Sequence, residues 1–128
     1  MIAEETSALV AVVEDDAPSL VAMGRLLRAG GFETSLFPSA EAFISAPPAR
    51  TPLCLILDVN LDGMSGIDLQ RHLRATGSAL PIIVTTGRHE NAIRDRAEAT
   101  GCTAFLWKPF APTTLLALID TIARQSHP

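Results

Sequence analysis

The sequence predicts an α/β fold, in which a doubly wound, five-stranded parallel sheet is covered by helices on both faces. Five short apolar segments alternate along the chain with five segments of helical periodicity. Most of the apolar segments are too continuous to leave one face of a sheet in water. The chain has 128 residues, enough for one hydrophobic core and too few for two. We therefore expect a single domain over residues 1–128, with its core at about 9–123.

The predicted strands are short runs rich in aliphatic residues. Most are continuous apolar runs, which indicate strands that are buried on both faces. The second run instead alternates roughly between apolar and polar residues, which is also typical of a strand. In chain order the strands are predicted at 9–13, 32–37, 53–57, 81–85 and 104–107.

The predicted helices are bounded by residues that start or stop a helix. Pro18 and Pro112 suit the first turn of a helix, and Ser39 can cap one. Gly30 and Gly101 supply stops at the C-terminal ends. Between these signals, apolar residues recur at the spacing of an amphipathic helix. In chain order the helices are predicted at about 18–29, 39–44, 67–76, 90–100 and from 112 onward.

Charge and hydropathy exclude several classes of protein. The net charge is −4, and the 10 basic residues, all but one of them arginine, are scattered, so we expect no direct contact with nucleic acid. No apolar run approaches the length of a bilayer span, and residues 1–5 lack the features of a signal peptide. We therefore expect a cytoplasmic protein with no membrane partner. Cys54 and Cys102 fit neither a metal site nor a disulfide framework, so we expect reduced packing residues.

Polar residues follow the predicted strands at the ends where ligands bind. In an open parallel sheet, ligand sites form at the carboxyl ends of the strands, near the point where the strand order reverses. Acidic residues 14–16 follow the first strand, and Asp58 follows the third. Thr85 and Thr86 end the fourth strand, and Lys108 follows the fifth. Acids, a hydroxyl and an ammonium are thus predicted to converge on one edge of the sheet.

The acids in this group repel one another if the sheet brings them together. Two carboxylates about 4 Å apart repel by roughly 4 kcal/mol at an effective dielectric constant near 20, so a cation between them is stabilising. Oxygen ligands without His or Cys favour Mg²⁺, which is commonly shared with a phosphate. Lys108, the only lysine of the chain, can pair with Asp58 in the free site and with a phosphoryl oxygen in the filled one. The alternative for Lys108 is a solvated side chain at a strand end.

Four segments of the chain carry a recognisable pattern. They are VVEDD at 12–16, LILDVNLDGMSG at 55–66, PIIVTTG at 81–87 and KPF at 108–110. In this order and spacing they resemble the receiver domain of two-component response regulators, and the resemblance extends over about 9–123. They are most similar to receivers of the nitrogen-fixation regulator subgroup. The resemblance implies a flavodoxin-like fold with the strand order 2-1-3-4-5.

The resemblance also implies a role for each site residue. Asp58 corresponds to the phosphoacceptor, whose carboxylate attacks the phosphorus of a phosphohistidine in line. Thr86 corresponds to the hydroxyl that bonds a phosphoryl oxygen, and Lys108 to the ammonium that offsets the charge on that group. These three are the expected catalytic residues. The expected Mg²⁺ ligands are Glu14, Asp15, Asp58 and the backbone carbonyl of Asn60.

The resemblance further implies a two-state switch. As the Thr86 hydroxyl moves, the loop after the fourth strand is pulled inward and the Phe105 side chain turns inward. The readout is expected on the face made by the fourth helix, the fifth strand and the fifth helix. The Lys108–Pro109 peptide is cis in the family.

Several site residues depart from the family pattern or have a simpler expected role. Glu14 stands where aspartate is commoner, and its longer arm is expected to reach the metal through water. Asp62 stands where proline is usual, which predicts a looser loop. Asp16 is expected to interact with the following helix N-terminus and not with the metal. His89 is expected to have a surface role, and Trp107 is expected to be a packing residue.

The expected function is a phosphorylation-dependent signalling switch that catalyses its own phosphorylation and dephosphorylation and is otherwise not an enzyme. The expected partners are a histidine kinase or histidine phosphotransfer protein and a downstream target or output domain, with a phosphorylation-dependent homodimer left open. One alternative is a phosphate-independent pseudo-receiver, against which the complete set of Asp58, Thr86 and Lys108 argues. Another is an aspartyl-phosphate phosphohydrolase, whose D-x-D pattern residues 14–16 do not supply. The sequence leaves open whether the receiver stands alone or begins a longer regulator.

Overall fold

The computed structural model describes residues 8–125 and confirms the predicted α/β fold. Five parallel strands form one sheet in the order β2-β1-β3-β4-β5, as the resemblance implied. The predicted strand bounds differ from the observed ones by at most one residue. The strands are β1 (Leu9–Val13), β2 (Glu33–Phe37), β3 (Cys54–Asp58), β4 (Ile82–Thr86) and β5 (Ala104–Trp107).

Four helices connect the strands, a fifth follows β5, and side chains cap several of the five. Asp16 accepts a hydrogen bond from the Ser19 amide at the start of the first helix, which confirms that it interacts with a helix N-terminus. Ser39 caps the second helix, as predicted, and Ser65 and Asp68 form a capping box on the third. The helices are α1 (Ala17–Ala29), α2 (Ala40–Ser45), α3 (Gly66–Ala75), α4 (Asn91–Ala99) and α5 (Pro112–Gln125).

Apolar side chains form a core on each face of the sheet. One core contains buried residues of α2, α3 and α4, and the other contains buried residues of α1 and α5. Successive residues of β4 point to opposite cores: Ile82 and Val84 belong to the first, and Ile83 belongs to the second. Every residue of β1, β3 and β4 is buried. The centre of the sheet is therefore shielded from water, and the polar side chains of these central strands lie at the strand ends.

Two smaller expectations concern the membrane and the cysteines. Within residues 8–125, no helix has both the length and the apolar character needed to cross a membrane. Residues 1–5, which lack the features of a signal peptide, lie outside the described part of the chain. Cys54 is buried, Cys102 is half-buried, and both are free thiols, as predicted.

Candidate functional site

The predicted site residues meet at the carboxyl edge of the sheet. β1, β3, β4 and β5 are consecutive in the sheet, so the residues at their ends come together. Asp58 is the last residue of β3 and Thr86 the last of β4. Glu14 and Lys108 directly follow β1 and β5. Residues that lie up to 94 positions apart in the sequence thus share one site.

Three carboxylates form the acidic part of the site. One oxygen from each of Glu14, Asp15 and Asp58 lies within 4.8 Å of the others. Glu14 and Asp58 are buried, with 7% and 6% of their surface exposed, whereas Asp15 is half-buried. The side-chain donors are all oxygens, which suits a hard divalent cation. The cluster is therefore compatible with Mg²⁺.

Lys108 supplies the positive charge of the site. Its Nζ donates to Glu14 Oε1 at 2.7 Å and to Asp58 Oδ2 at 3.3 Å. The predicted pairing with Asp58 is present, and the pairing with Glu14 is shorter. The Lys108–Pro109 peptide is cis, as the resemblance implied. Because one ammonium bridges two of the three carboxylates, it offsets part of their mutual repulsion.

Burial and neighbouring charges act in opposite directions on the ionised groups. Burial raises the pKa of Asp58 from 3.8 to about 6, and the Glu14 charge adds to this effect, while Lys108 opposes it. Burial also disfavours the charged form of Lys108, but the hydrogen bond to Glu14 and the charge of Asp58 outweigh it, so the pKa of Lys108 is raised. At neutral pH the site therefore holds an ionised carboxylate beside an ammonium.

Main-chain contacts position the loop after Asp58. The Asn60 amide donates to Asp58 Oδ1 at 3.2 Å, and the Asp62 amide donates to Asp15 Oδ2 at 3.0 Å. A proline at position 62 has no N–H and cannot make this bond, so the departure from the family pattern adds a contact where we expected a looser loop. A Cβ at Gly66 would overlap the Asp58 carbonyl oxygen. Glycine at this position therefore lets α3 pack directly against the main chain of the site.

Thr86 is fully buried at the end of β4. Its Oγ accepts hydrogen bonds from Asn60 Nδ2 and from the Arg88 amide, both at 3.1 Å. With two donors on the oxygen, the hydroxyl hydrogen is left to be donated. The Lys108 amide donates to the Thr86 carbonyl at 2.8 Å, so β5 holds the main chain of Thr86 while its side chain contacts two loops.

Contacts of two residues at the rim of the site, His89 and Glu41, were not predicted. His89 is exposed, as expected, but it also stacks on Trp107 with ring centroids 4.8 Å apart, and its Nε2 lies 3.1 Å from the Lys108 carbonyl oxygen. Glu41 accepts a hydrogen bond from the Met64 amide at 2.8 Å and so ties α2 to the loop between β3 and α3. No pattern in the sequence indicates these contacts, because each depends on the path of an irregular loop.

Comparison with known proteins agrees with this geometry. The sequence profile of the family described as "Response regulator receiver domain" matches residues 10–120. The transcriptional regulatory protein FixJ of Bradyrhizobium diazoefficiens is 34% identical over 123 residues, covering 96% of this chain and 60% of FixJ. The phosphate regulon transcriptional regulatory protein PhoB of Rhizobium meliloti is 37% identical over 121 residues, covering 93% of this chain and 53% of PhoB. The chain thus spans about half to 60% of the length of these relatives.

Solved structures share the fold. Full-length FixJ from B. japonicum aligns with a TM-score of 0.87 at 34% identity, covering 97% of this chain and 61% of that one. The structure of FixJ-N aligns with a TM-score of 0.85 at 29% identity, covering 97% of this chain and 99% of that one. With the family profile matched over most of its length, this chain belongs to the receiver domains of two-component response regulators, which are signalling domains and not classical enzymes.

Proposed function

We propose that this domain is a phosphorylation-dependent switch in which Asp58 accepts a phosphoryl group from a phosphohistidine of a histidine kinase or histidine phosphotransfer protein. The observation that carries the proposal is the position of the Asp58 carboxylate. It lies at the carboxyl edge of the sheet, within 4.8 Å of oxygens of Glu14 and Asp15 and 3.3 Å from Lys108 Nζ. Phosphoryl transfer relies on positioning of the reacting groups and on positive charge around the transferring group. The acidic cluster, which suits a cation, and the Lys108 ammonium support both requirements at Asp58.

The proposed reaction forms one bond to phosphorus and breaks another. A carboxylate oxygen of Asp58 forms the new P–O bond as the P–N bond of the donor breaks. The released imidazole nitrogen keeps the electron pair and takes a proton from solvent. Lys108 lies where its ammonium can offset negative charge on a phosphoryl oxygen. With a pKa of about 6, the Asp58 carboxyl is ionised at neutral pH and able to attack.

Mg²⁺ is the cofactor that the acidic cluster favours. The proposed ligands are Glu14, Asp15, Asp58 and the backbone carbonyl of Asn60. When bound, the ion supplies positive charge against the transferring phosphoryl group. Glu14 also accepts a hydrogen bond from the Lys108 ammonium at 2.7 Å, so one carboxylate is both a proposed metal ligand and a partner that positions the lysine.

Thr86 and Phe105 are proposed to convert phosphorylation into a change of surface. The hydroxyl hydrogen of Thr86 is available to bond a phosphoryl oxygen, and its movement shifts the contact with the Arg88 amide in the following loop. Phe105 is half-buried on β5 and packs against the core next to α4, so an inward turn of its ring changes the neighbouring surface. The proposed readout is the face formed by α4, β5 and α5.

The partners and extent of the domain are proposed on the same basis. The relatives named as transcriptional regulatory proteins extend beyond the region that matches this chain. We therefore propose that the signal passes to an output domain or to a separate downstream protein, and a phosphorylation-dependent homodimer is one form that this can take. We also propose that residues 1–128 form one domain, which acts in the cytoplasm without direct contact with nucleic acid or membranes.

Incubation with Mg²⁺ and acetyl phosphate or phosphoramidate, followed by measurement of the intact mass, tests the proposal. A gain of one phosphoryl group is expected for the wild type and for the control Asp62→Asn, which changes an exposed acid near the site. No gain is expected for Asp58→Asn or in EDTA. No gain in the wild type would favour the pseudo-receiver, and sustained turnover of a phosphate ester would favour the phosphohydrolase.

A further inference from the structure

Trp107 contacts both segments that the proposed switch moves. The His89 ring, from the loop between β4 and α4, stacks on the indole with centroids 4.8 Å apart and an angle of 17° between the planes. The Phe105 ring contacts the same indole edge-on, with centroids 4.9 Å apart. Trp107 therefore lies between the loop that follows Thr86 and the aromatic side chain that is proposed to turn inward. This position gives it more than the packing role that the sequence suggested.

Hydrogen bonds connect this stack to the site. The Arg88 amide donates to Thr86 Oγ at 3.1 Å, and His89 Nε2 lies 3.1 Å from the Lys108 carbonyl oxygen. Between Thr86 and Arg88, Gly87 is exposed, and a Cβ there would meet no atom within 4 Å. Glycine has more backbone freedom than any other residue, so the loop can change direction at Gly87.

We propose that His89 is a positioning residue: its stack on Trp107 holds the β4–α4 loop in the resting arrangement, and occupation of the phosphoryl site separates the two rings. The inference rests on the proposed function, since it requires the Thr86 hydroxyl to turn towards a phosphoryl group. The Arg88 amide keeps its acceptor by following this hydroxyl inward, and the pivot at Gly87 permits the movement. His89 is the next residue and is drawn off Trp107.

The energetic consequence is a shift in the switching equilibrium. A stacked pair and one hydrogen bond stabilise the resting arrangement and not the switched one, so a ligand of the switched state must overcome them. Removal of the His89 side chain is therefore expected to tighten the binding of a phosphoryl analogue by about three- to tenfold.

Fluorescence of Trp107, the only tryptophan of the chain, tests the proposal in the full chain. The protein is titrated with beryllofluoride at constant Mg²⁺ and pH. The wild-type emission is expected to change on saturation. His89→Ala is expected to show a smaller change and to half-saturate at about three- to tenfold lower concentration. His89→Phe keeps an aromatic ring on Trp107 but lacks the hydrogen bond to the Lys108 carbonyl, so it is expected to restore most of the emission change and to half-saturate between the wild type and His89→Ala. His72→Ala, an exposed position on α3, is the matched control.

Three results would overturn the proposal. One is an emission change in His89→Ala as large as in the wild type, another is half-saturation that is unchanged or weaker, and the third is His89→Phe behaving like His89→Ala. The mass measurement with acetyl phosphate separates the two levels of inference. If the wild type gains a phosphoryl group and Trp107 does not respond, the role of His89 fails alone. If the wild type gains none, the proposed function fails, and the role of His89 fails with it.

Discussion

Replacing Asp58 by asparagine removes one buried negative charge and preserves the size and shape of the side chain. In the free protein that charge is unfavourable, because only 6% of the residue is exposed and burial, together with the Glu14 charge, raises its pKa. Asp58→Asn is therefore expected to stabilise the metal-free fold at neutral pH, although it removes the proposed phosphoacceptor.

The size of this stabilisation follows from the pKa of Asp58 in the folded and unfolded chain. An acid whose pKa is raised by folding holds its proton more tightly in the fold, so stability is lost as the pH rises from the unfolded pKa through the folded one. With values of 3.8 unfolded and about 6 folded, the loss is small at about pH 4 and reaches about 3 kcal/mol above about pH 7. Asparagine is neutral at every pH and avoids this loss.

Urea unfolding in EDTA, followed by Trp107 fluorescence, measures the effect. The difference in unfolding free energy between Asp58→Asn and the wild type is expected to increase by about 2 to 3 kcal/mol from about pH 4 to about pH 7.5. A change of packing in the variant contributes about equally at both pH values and so cancels, whereas hydrogen bonds that favour the ionised carboxyl are already contained in its pKa. Asp62→Asn, which changes an exposed acid of the neighbouring loop, is the control and is expected to change by less than about 0.5 kcal/mol.

A difference that is the same at both pH values would refute the reasoning, because Asp58 would then titrate alike in the folded and unfolded chain. A difference that decreases with pH would show that Lys108 stabilises the carboxylate more than burial opposes it. Mg²⁺ supplies an independent check on the same samples. The wild type is expected to gain stability when the ion is added, and Asp58→Asn is expected to gain less.

Three further substitutions test the packing and charge around the site by urea unfolding. Gly66→Ala is expected to lose about 2 kcal/mol or more and to slow phosphorylation by acetyl phosphate, because the new Cβ overlaps the Asp58 carbonyl. Lys108→Met leaves two carboxylates without their cation and is expected to lose about 1 to 3 kcal/mol at about pH 7.5 and less at about pH 4. Gln70→Met is expected to be within about 1 kcal/mol of the wild type or more stable, because the buried Gln70 Oε1 has no partner among the described residues. The Ala97 carbonyl that accepts from Gln70 Nε2 keeps a donor in the variant, since it also accepts from the amide of residue 102. A loss above about 2 kcal/mol would contradict this expectation.

The sheet could be predicted from the sequence because its signals are local. β1 and β3 are continuous apolar runs that end abruptly at acids, so their ends are visible in the sequence to within one residue. β2 lies at the edge of the sheet and is only partly buried, which is why it alternates instead of forming a continuous apolar run. The strand order, by contrast, came from the resemblance, since periodicity carries no information about which strands pair.

The acidic cluster could be predicted for a related reason, whereas the rim of the site could not. Parallel pairing brings strand ends to one edge whatever the side chains do, so Asp58 and Lys108 were expected to meet before any rotamer was known. The stack of His89 on Trp107 depends on the path of an irregular loop, and so does the contact of Glu41 with a backbone amide of the loop between β3 and α3. Each of these contacts requires a particular loop conformation and a particular side-chain rotamer, and a periodic sequence pattern predicts neither of them.

The division between fixed and movable groups explains how one site can serve both chemistry and signalling under the proposed function. The fold holds Glu14 and Asp58 buried beside Lys108, so the charges that a cation and a phosphoryl group need are in place before either binds, and little reorganisation is required. Thr86 differs, because its hydroxyl is held by side-chain and backbone donors from two loops and not by the acidic cluster. Binding at the fixed charges can therefore draw the Thr86 hydroxyl and its loop inward while the sheet stays unchanged. The β4–α4 loop then transmits this displacement from the site to His89.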